Sequence, residues 1–166
     1  MLLTTKPLKL HLGCGHIRLD DYVNVDKFNP KADVQADLLS LPFPDESAEV
    51  VVANHVIEHI SWQYQMRLYE EFHRVLQPDG VLKLGYPEWE ECAKNFLSNQ
   101  GGIRWKWWVQ TLYGSQHEPG QQHLAPIVTS RLVEQLTEVG FKDFDYCLTG
   151  ADAQLVCVRT QPLPWF

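Results

Sequence analysis

Residues 8–16 read LKLHLGCGH, and the fold turns on them. Leu8, Leu10 and Leu12 alternate with Lys9 and His11, the period-two pattern of a strand. The run stops at Gly13-Cys14-Gly15. Two glycines around one residue permit a tight turn, where backbone takes positive φ or approaches a ligand closely. Working outward, three more short apolar runs follow before residue 54. Tyr22–Val25 (YVNV) stops at Asp26, Asp33–Ala36 (DVQA) stops at Asp37, and Ala48–Ala53 (AEVVVA) is apolar on both sides. All four read as strands, the last buried between two layers.

Helical spacing appears further on. From Ser61, apolar residues recur at Trp62, Met66, Tyr69, Phe72 and Leu76, which predicts a helix with Ser61 as N-cap and Pro78-Asp79-Gly80 as its stop. Val81–Tyr86 (VLKLGY) predicts a strand closed by Pro87. Leu132, Leu136 and Val139 share one face of a helix over Thr129–Val139, ended by Gly140. Strands follow over Phe141–Leu148 and Ala153–Arg159. Strands separated by helices, ending in a hairpin-like pair, imply an α/β protein with a mostly parallel sheet. Residues 89–126 stand apart as an aromatic-rich insert. They hold Trp89, Trp105, Trp107 and Trp108, the pair Gly101-Gly102 and the polar loop YGSQHEPGQQHLAP.

The chain has 166 residues, which suits a single domain spanning 1–166. It is 45% hydrophobic and carries a net charge of −7, so a broad nucleic-acid surface is not expected. Arg104 and Lys106 are too few to form one within the insert. No apolar run approaches the ~20 residues that cross a bilayer, and the N-terminus lacks the pattern of a signal peptide. Cys14, Cys92, Cys147 and Cys157 are scattered without a C-x-x-C pair, as in a reduced, cytoplasmic protein. No membrane partner is expected.

Asp26 and Asp37 each follow a strand. Asp26 can accept two hydrogen bonds from a ribose diol, and Asp37 can accept one from an adenine amino group. Gly13 and Asp26 are only 13 positions apart, too few for the full phosphate-binding helix of a dinucleotide site. The expected ligand is a nucleoside without phosphates.

Four segments in order, LHLGCGH (10–16), YVNVD (22–26), ADLLSLPFPDESAEVVVANHVIEHI (36–60) and FHRVLQPDGVLKL (72–84), resemble the class I S-adenosylmethionine-dependent methyltransferases. The likeness is to the small type 11-like group with a very short first connection. It implies a Rossmann-like, mostly parallel seven-stranded sheet in the order 3-2-1-4-5-7-6. The last strand would be antiparallel and the first helix shortened or absent. It implies S-adenosyl-L-methionine as cofactor, with Leu12, Gly13, Cys14, Gly15 and His16 beside its methionine half. Asp26 would hold the ribose, Lys27, Asp37 and Leu38 would lie at the adenine side, and Asn54 and His55 would sit beside the cofactor. The family's usual G-x-G-x-G departs here at Ile17. The implied activity is methyl transfer to oxygen or nitrogen of a small molecule or sugar-containing metabolite. Asn54 is followed by His-Val-Ile rather than by the Pro-Pro of DNA-base methylases.

Histidine is the side chain best suited to deprotonate a hydroxyl acceptor near neutral pH. His55 and His123 are the catalytic candidates, with His117 a further histidine of the polar loop. Two other readings stay open. His55-Val56-Ile57-Glu58-His59 matches H-x-x-E-H, a zinc-hydrolase signature when both histidines share a helical face. The blander reading gives Glu58 and His59 to local hydrogen bonds, and no metal is assigned. The short chain would also suit a non-catalytic cofactor-binding module. The tryptophans either cap the site or pack the insert and support a homodimer.

Overall fold

The computed structural model describes residues 7–98 and 103–160. Seven strands form one sheet: β1 (Leu8–Leu12), β2 (Val23–Asp26), β3 (Val34–Gln35), β4 (Ala48–Asn54), β5 (Leu76–Pro87), β6 (Phe141–Thr149) and β7 (Asp152–Arg159). Their order is β3-β2-β1-β4-β5-β7-β6, as the motif order implies. The first five strands pair in parallel, while β7 runs antiparallel to both β5 and β6. The alternation in LKLHL buries Leu10 and Leu12 completely, and His11 between them is only 4% exposed. A strand flanked by neighbours on both sides has no wet face.

No helix joins β1 to β2; residues 13–22 form turns. Asn24, 1% exposed, takes the place of that helix as the organiser of the connection. Its Oδ1 accepts from the Leu19 backbone N–H at 2.9 Å and meets His11 Nδ1 at 3.0 Å. Its Nδ2 donates to the carbonyls of Leu19 and Tyr22 and to Asp33 Oδ2. Arg18 completes the frame with bonds to the Lys31 carbonyl at 2.9 Å and to Asp33 Oδ1 at 2.5 Å. A buried polar side chain is tolerated because each of its groups is paired.

The helices are α1 (Gln65–Val75), α2 (Trp89–Ser98), α3 (Ile103–Tyr113) and α4 (Thr129–Val139). Leu68, Tyr69, Phe72 and Val75 of α1, with Leu132 and Leu136 of α4, join the strand residues in one core. Gly140 ends α4 with φ of 110°, and its N–H bonds back to the last turn.

Two expectations need correction. The helix drawn from Ser61 begins at Gln65, after a 3₁₀ turn at Trp62–Tyr64, and Ser61 makes no capping bond. Trp62 is 68% exposed rather than part of the buried face. The reason is a polar anchor: buried Gln65 donates to the carbonyls of Ile57 at 2.7 Å and Ile60 at 2.9 Å, and Tyr69 donates to its Oε1. Leu76 opens β5, and Pro78-Asp79-Gly80 lies within it, where the pairing to β4 jumps from Leu76 to Val81. In the insert, α2 and α3 pack a second small core around Cys92, Trp108, Leu112 and Ala151. The Gly101-Gly102 pair lies outside the described residues. All four cysteines are unpaired, with Cys147 exposed. No helix among the described residues is long and apolar enough to cross a membrane.

Removing the Asn24 amide leaves the Leu19 N–H and His11 without their partner. Asn24→Ala is expected to cost about 2–4 kcal/mol in urea unfolding, the penalty of orphaned buried groups; a loss below about 0.5 kcal/mol contradicts this role. Asp33 adds a pH signature. Arg18, and then the Asn24 backbone and side chain, lower its pKa from 3.8 to about 2. A lowered folded pKa means stability present above the unfolded value and lost as pH falls toward about 2. Asp33→Asn is therefore less stable than wild type at pH 6, and the gap narrows from pH 4 downward. A gap constant across that range contradicts the assignment.

Candidate functional site

A cavity of about 590 Å³ opens at the carboxyl ends of the parallel strands, where open α/β sheets bind ligands. Its lining comes from the glycine turn (Gly13, Gly15, His16), Asp26–Pro30, Asp37–Leu39, His55 and Val56, His59–Ser61, Tyr64 and the insert loop Glu118–Gln121 with Leu124. Gly13 and Gly15 both have positive φ, 62° and 52°. A Cβ on Gly13 would stand 2.4 Å from Val56 Cγ2, whereas one on Gly15 would meet nothing within 4 Å. Gly13 thus lets β1 pack on Val56, while Gly15 leaves open space over the turn.

Asp26 holds two turns together. Its Oδ2 accepts from the Gly15 N–H at 2.8 Å, and its Oδ1 accepts from Phe28 N at 2.7 Å and Asn29 N at 2.8 Å. Asn29 Nδ2 returns a bond to the Gly15 carbonyl. A carboxylate offers about four acceptor positions, so about one remains on Asp26 for a ligand. Asp37 Oδ2 accepts from Lys27 Nζ at 2.8 Å and Oδ1 from Leu39 N at 3.0 Å. The lysine, then that backbone bond, hold its carboxyl below the usual carboxylate range.

The opposite wall carries the histidines. His55 sits at φ 52°, held by its N–H to the Gly85 carbonyl at 2.7 Å. Its Nδ1 is 3.3 Å from Glu58 Oε1, and this contact raises the imidazole pKa against the opposing effect of burial. Glu58 is 1% exposed, and neither carboxylate oxygen has a well-aligned hydrogen-bond partner among the described residues. His59 Nδ1 donates to the Gln122 carbonyl at 3.0 Å. The His59 and His123 rings meet edge to face, 4.8 Å between centroids. Burial lowers the His123 pKa. The loop is stitched to this wall by the Glu58 carbonyl, which accepts from Leu124 N at 2.7 Å and Ala125 N at 3.2 Å.

Of the residues singled out from sequence, Gly13, Gly15, His16, Asp26, Lys27, Asp37, Leu38 and His55 line the cavity. Leu12 and Cys14 are buried beneath the turn, and Asn54 lies against Gly85 outside the lining. His117 is exposed on the loop and does not line the cavity. His55 precedes a 3₁₀ turn, Ile57–His59, and His59 ends it, so the two do not share a face of an α-helix as the zinc-hydrolase motif requires. His59 does make the local bond of the blander reading, but the Glu58 carboxylate does not. Among the described residues no tryptophan lines the cavity: Trp108 is buried, Trp105 rests on Phe96 and Trp107 on Trp108.

Sequence reasoning missed Phe28, Tyr64 and the loop Glu118–Gln121. Phe28 is 58% exposed, and a Cβ on Gly120 would come within 2.5 Å of its ring, so the loop reaches across the cavity mouth. Phe28-Asn29-Pro30, an aromatic in a polar turn just after Asp26, was the signal available.

Residues 17–84 match a family model described as a methyltransferase domain. A Mycobacterium tuberculosis protein named "Probable S-adenosylmethionine-dependent methyltransferase" is 46% identical over 59 residues, 35% of this chain and 21% of the relative. The match thus spans about a fifth of the length of that curated relative. Among solved structures, the fold resembles a Thermotoga maritima S-adenosylmethionine-dependent methyltransferase titled "possible histamine N-methyltransferase". The TM-score is 0.66 at 15% identity, over 94% of this chain and 83% of that one. A second, from Archaeoglobus fulgidus, gives a TM-score of 0.64 at 13% identity, over 92% and 86%.

The two glycines separate by experiment. Gly15→Ala pays only for a left-handed backbone, about 1–2 kcal/mol. Gly13→Ala adds overpacking against Val56, about 1–3 kcal/mol more. Thermal unfolding of the two variants checks the order, and equal losses contradict it.

Proposed function

We propose, from its likeness to S-adenosylmethionine-dependent methyltransferases, that this chain binds S-adenosyl-L-methionine in the 590 Å³ cavity and methylates oxygen or nitrogen of a small molecule or sugar-containing metabolite. The cofactor carries its methyl group on a sulfonium, a leaving group that needs no further activation. The lining suits it. The glycine turn Gly13–His16 offers backbone and open space above Gly15 to the methionine half. Asp26 keeps about one acceptor position for a ribose hydroxyl. Lys27, Asp37 and Leu38 border the adenine side, with the Phe28 ring available for stacking.

Asp26 is the observation that carries this reading, because one carboxylate organises both turns of the cavity and still faces it. His55, facing the cavity with Glu58 behind it, is the residue placed to take a proton from an acceptor. His123, which meets His59 edge to face and does not itself line the cavity, is the second candidate. Positioning the acceptor in line with the methyl group supplies much of the remaining rate. Exclusion of water by the loop Glu118–Gln121 serves the same end.

Calorimetric titration with S-adenosylmethionine and with S-adenosylhomocysteine tests the reading. Wild type is expected to bind in the micromolar range. Asp26→Ala is expected to bind at least tenfold more weakly, in keeping with the loss of a hydrogen bond to a charged group. Asp26→Asn keeps the shape but turns an NH₂ donor toward a backbone N–H, so it reports on a lost acceptor together with the charge. Folded wild-type protein that gives no heat with either ligand overturns the proposal.

A further inference from the structure

We propose that Glu58, His59 and His123 form a binding site for one first-row divalent cation of the zinc type, set in the wall of the cavity. Their donor atoms all lie within 4.8 Å of one another, although 64 positions separate the two histidines. A tetrahedral ion with bonds of 2.0–2.1 Å spaces its donors about 3.3 Å apart. Small side-chain rotations close the difference.

Three observations beyond proximity point to a cation. The Glu58 carboxylate is 1% exposed and both oxygens lack a well-aligned partner, which is costly for an ionised group unless a cation or a proton meets it. His55 Nδ1 stands 3.3 Å from Oε1 without completing a hydrogen bond, and it offsets the charge only when the imidazole is protonated. His59 is already oriented as a ligand. Nδ1 carries the proton donated to the Gln122 carbonyl, so Nε2 holds the lone pair. A ring nitrogen bonded to a backbone carbonyl is the usual support behind a metal-bound imidazole. Finally, the frame is stiff. The His123 N–H donates to the Tyr113 carbonyl at 3.1 Å, and the Glu58 carbonyl accepts from Leu124 N and Ala125 N.

Two imidazoles and one carboxylate form a borderline donor set, suited to Zn²⁺, Co²⁺, Ni²⁺ or Fe²⁺ rather than to Ca²⁺. Three protein ligands leave a coordination position free, the arrangement of catalytic rather than structural sites. His59 borders the cavity, so that position is available to an acceptor oxygen. This last step rests on the methyltransferase reading. A cation there orients a hydroxyl-bearing acceptor and lowers the pKa of its hydroxyl, so oxygen is favoured over amine nitrogen. His123 then acts as a ligand rather than as a base.

Metal-free protein titrated with Zn²⁺, and separately with Co²⁺, tests the site without any turnover. The expected result is one ion per chain, with Co²⁺ giving visible bands and no thiolate charge-transfer band. His59→Ala, His123→Ala and Glu58→Gln each weaken binding at least tenfold, while His117→Ala, exposed on the loop, leaves it unchanged. Circular dichroism identifies any variant that fails to fold, and His123→Gln then replaces it. No stoichiometric ion, or binding indifferent to all three changes, overturns the proposal. S-adenosylhomocysteine titrated into chelated protein separates the two hypotheses: metal binding without nucleoside binding supports the cation site and sinks the methyltransferase reading alone.

Discussion

One buried amide stands where this architecture usually places a helix. Asn24 binds the β1–β2 connection through His11, Leu19, Tyr22 and Asp33, and so fixes where β2 ends. Asp26 lies two residues on. Its carboxylate can reach both the glycine turn and the Phe28–Asn29 turn only because β2 is held at that height. The neighbouring part of the cavity lining follows in turn, since Lys27 leads directly from Asp26 to Asp37. A hydrophobic helix would have fixed the same strand by burying apolar area. Here a network of paired polar groups does it with ten residues of turn.

The parts of the fold legible in the sequence were those written in periodicity. LKLHL, AEVVVA and VLKLGY became β1, β4 and the regular part of β5, LKLHL legible by its alternation and AEVVVA as a run apolar on both faces. The start of α1 was not legible. It depends on Gln65, a polar residue buried because Ile57 and Ile60 offer it carbonyls, and no hydropathy pattern marks such a position. The insert was illegible for a related reason. Its helices bury a small core of their own around Cys92 and Trp108, so their apolar residues point away from the main sheet.

At the site, the glycines and carboxylates could be read because their chemistry is local: a strand ends, and the next residue faces the ligand edge. The histidine wall could not. His55-Val56-Ile57-Glu58-His59 has the letters of the zinc-hydrolase signature, but the segment is a short 3₁₀ turn that sets its histidines on no common helical face. His59 instead meets a ring from beyond α3, an association that only the docking of the insert creates.

That docking gives the wall a place in the order of folding. The strands from β1 to β4 close short loops and bury apolar surface as they form. The Leu124 and Ala125 amides reach the Glu58 carbonyl only after the intervening chain, with α2 and α3, has settled. Strands β1 to β4 and the glycine turn thus close through nearer contacts than the far side of the cavity does. A cut in the insert would therefore act on the histidine side of the cavity first, because the carboxylate side is held by bonds between residues close in sequence.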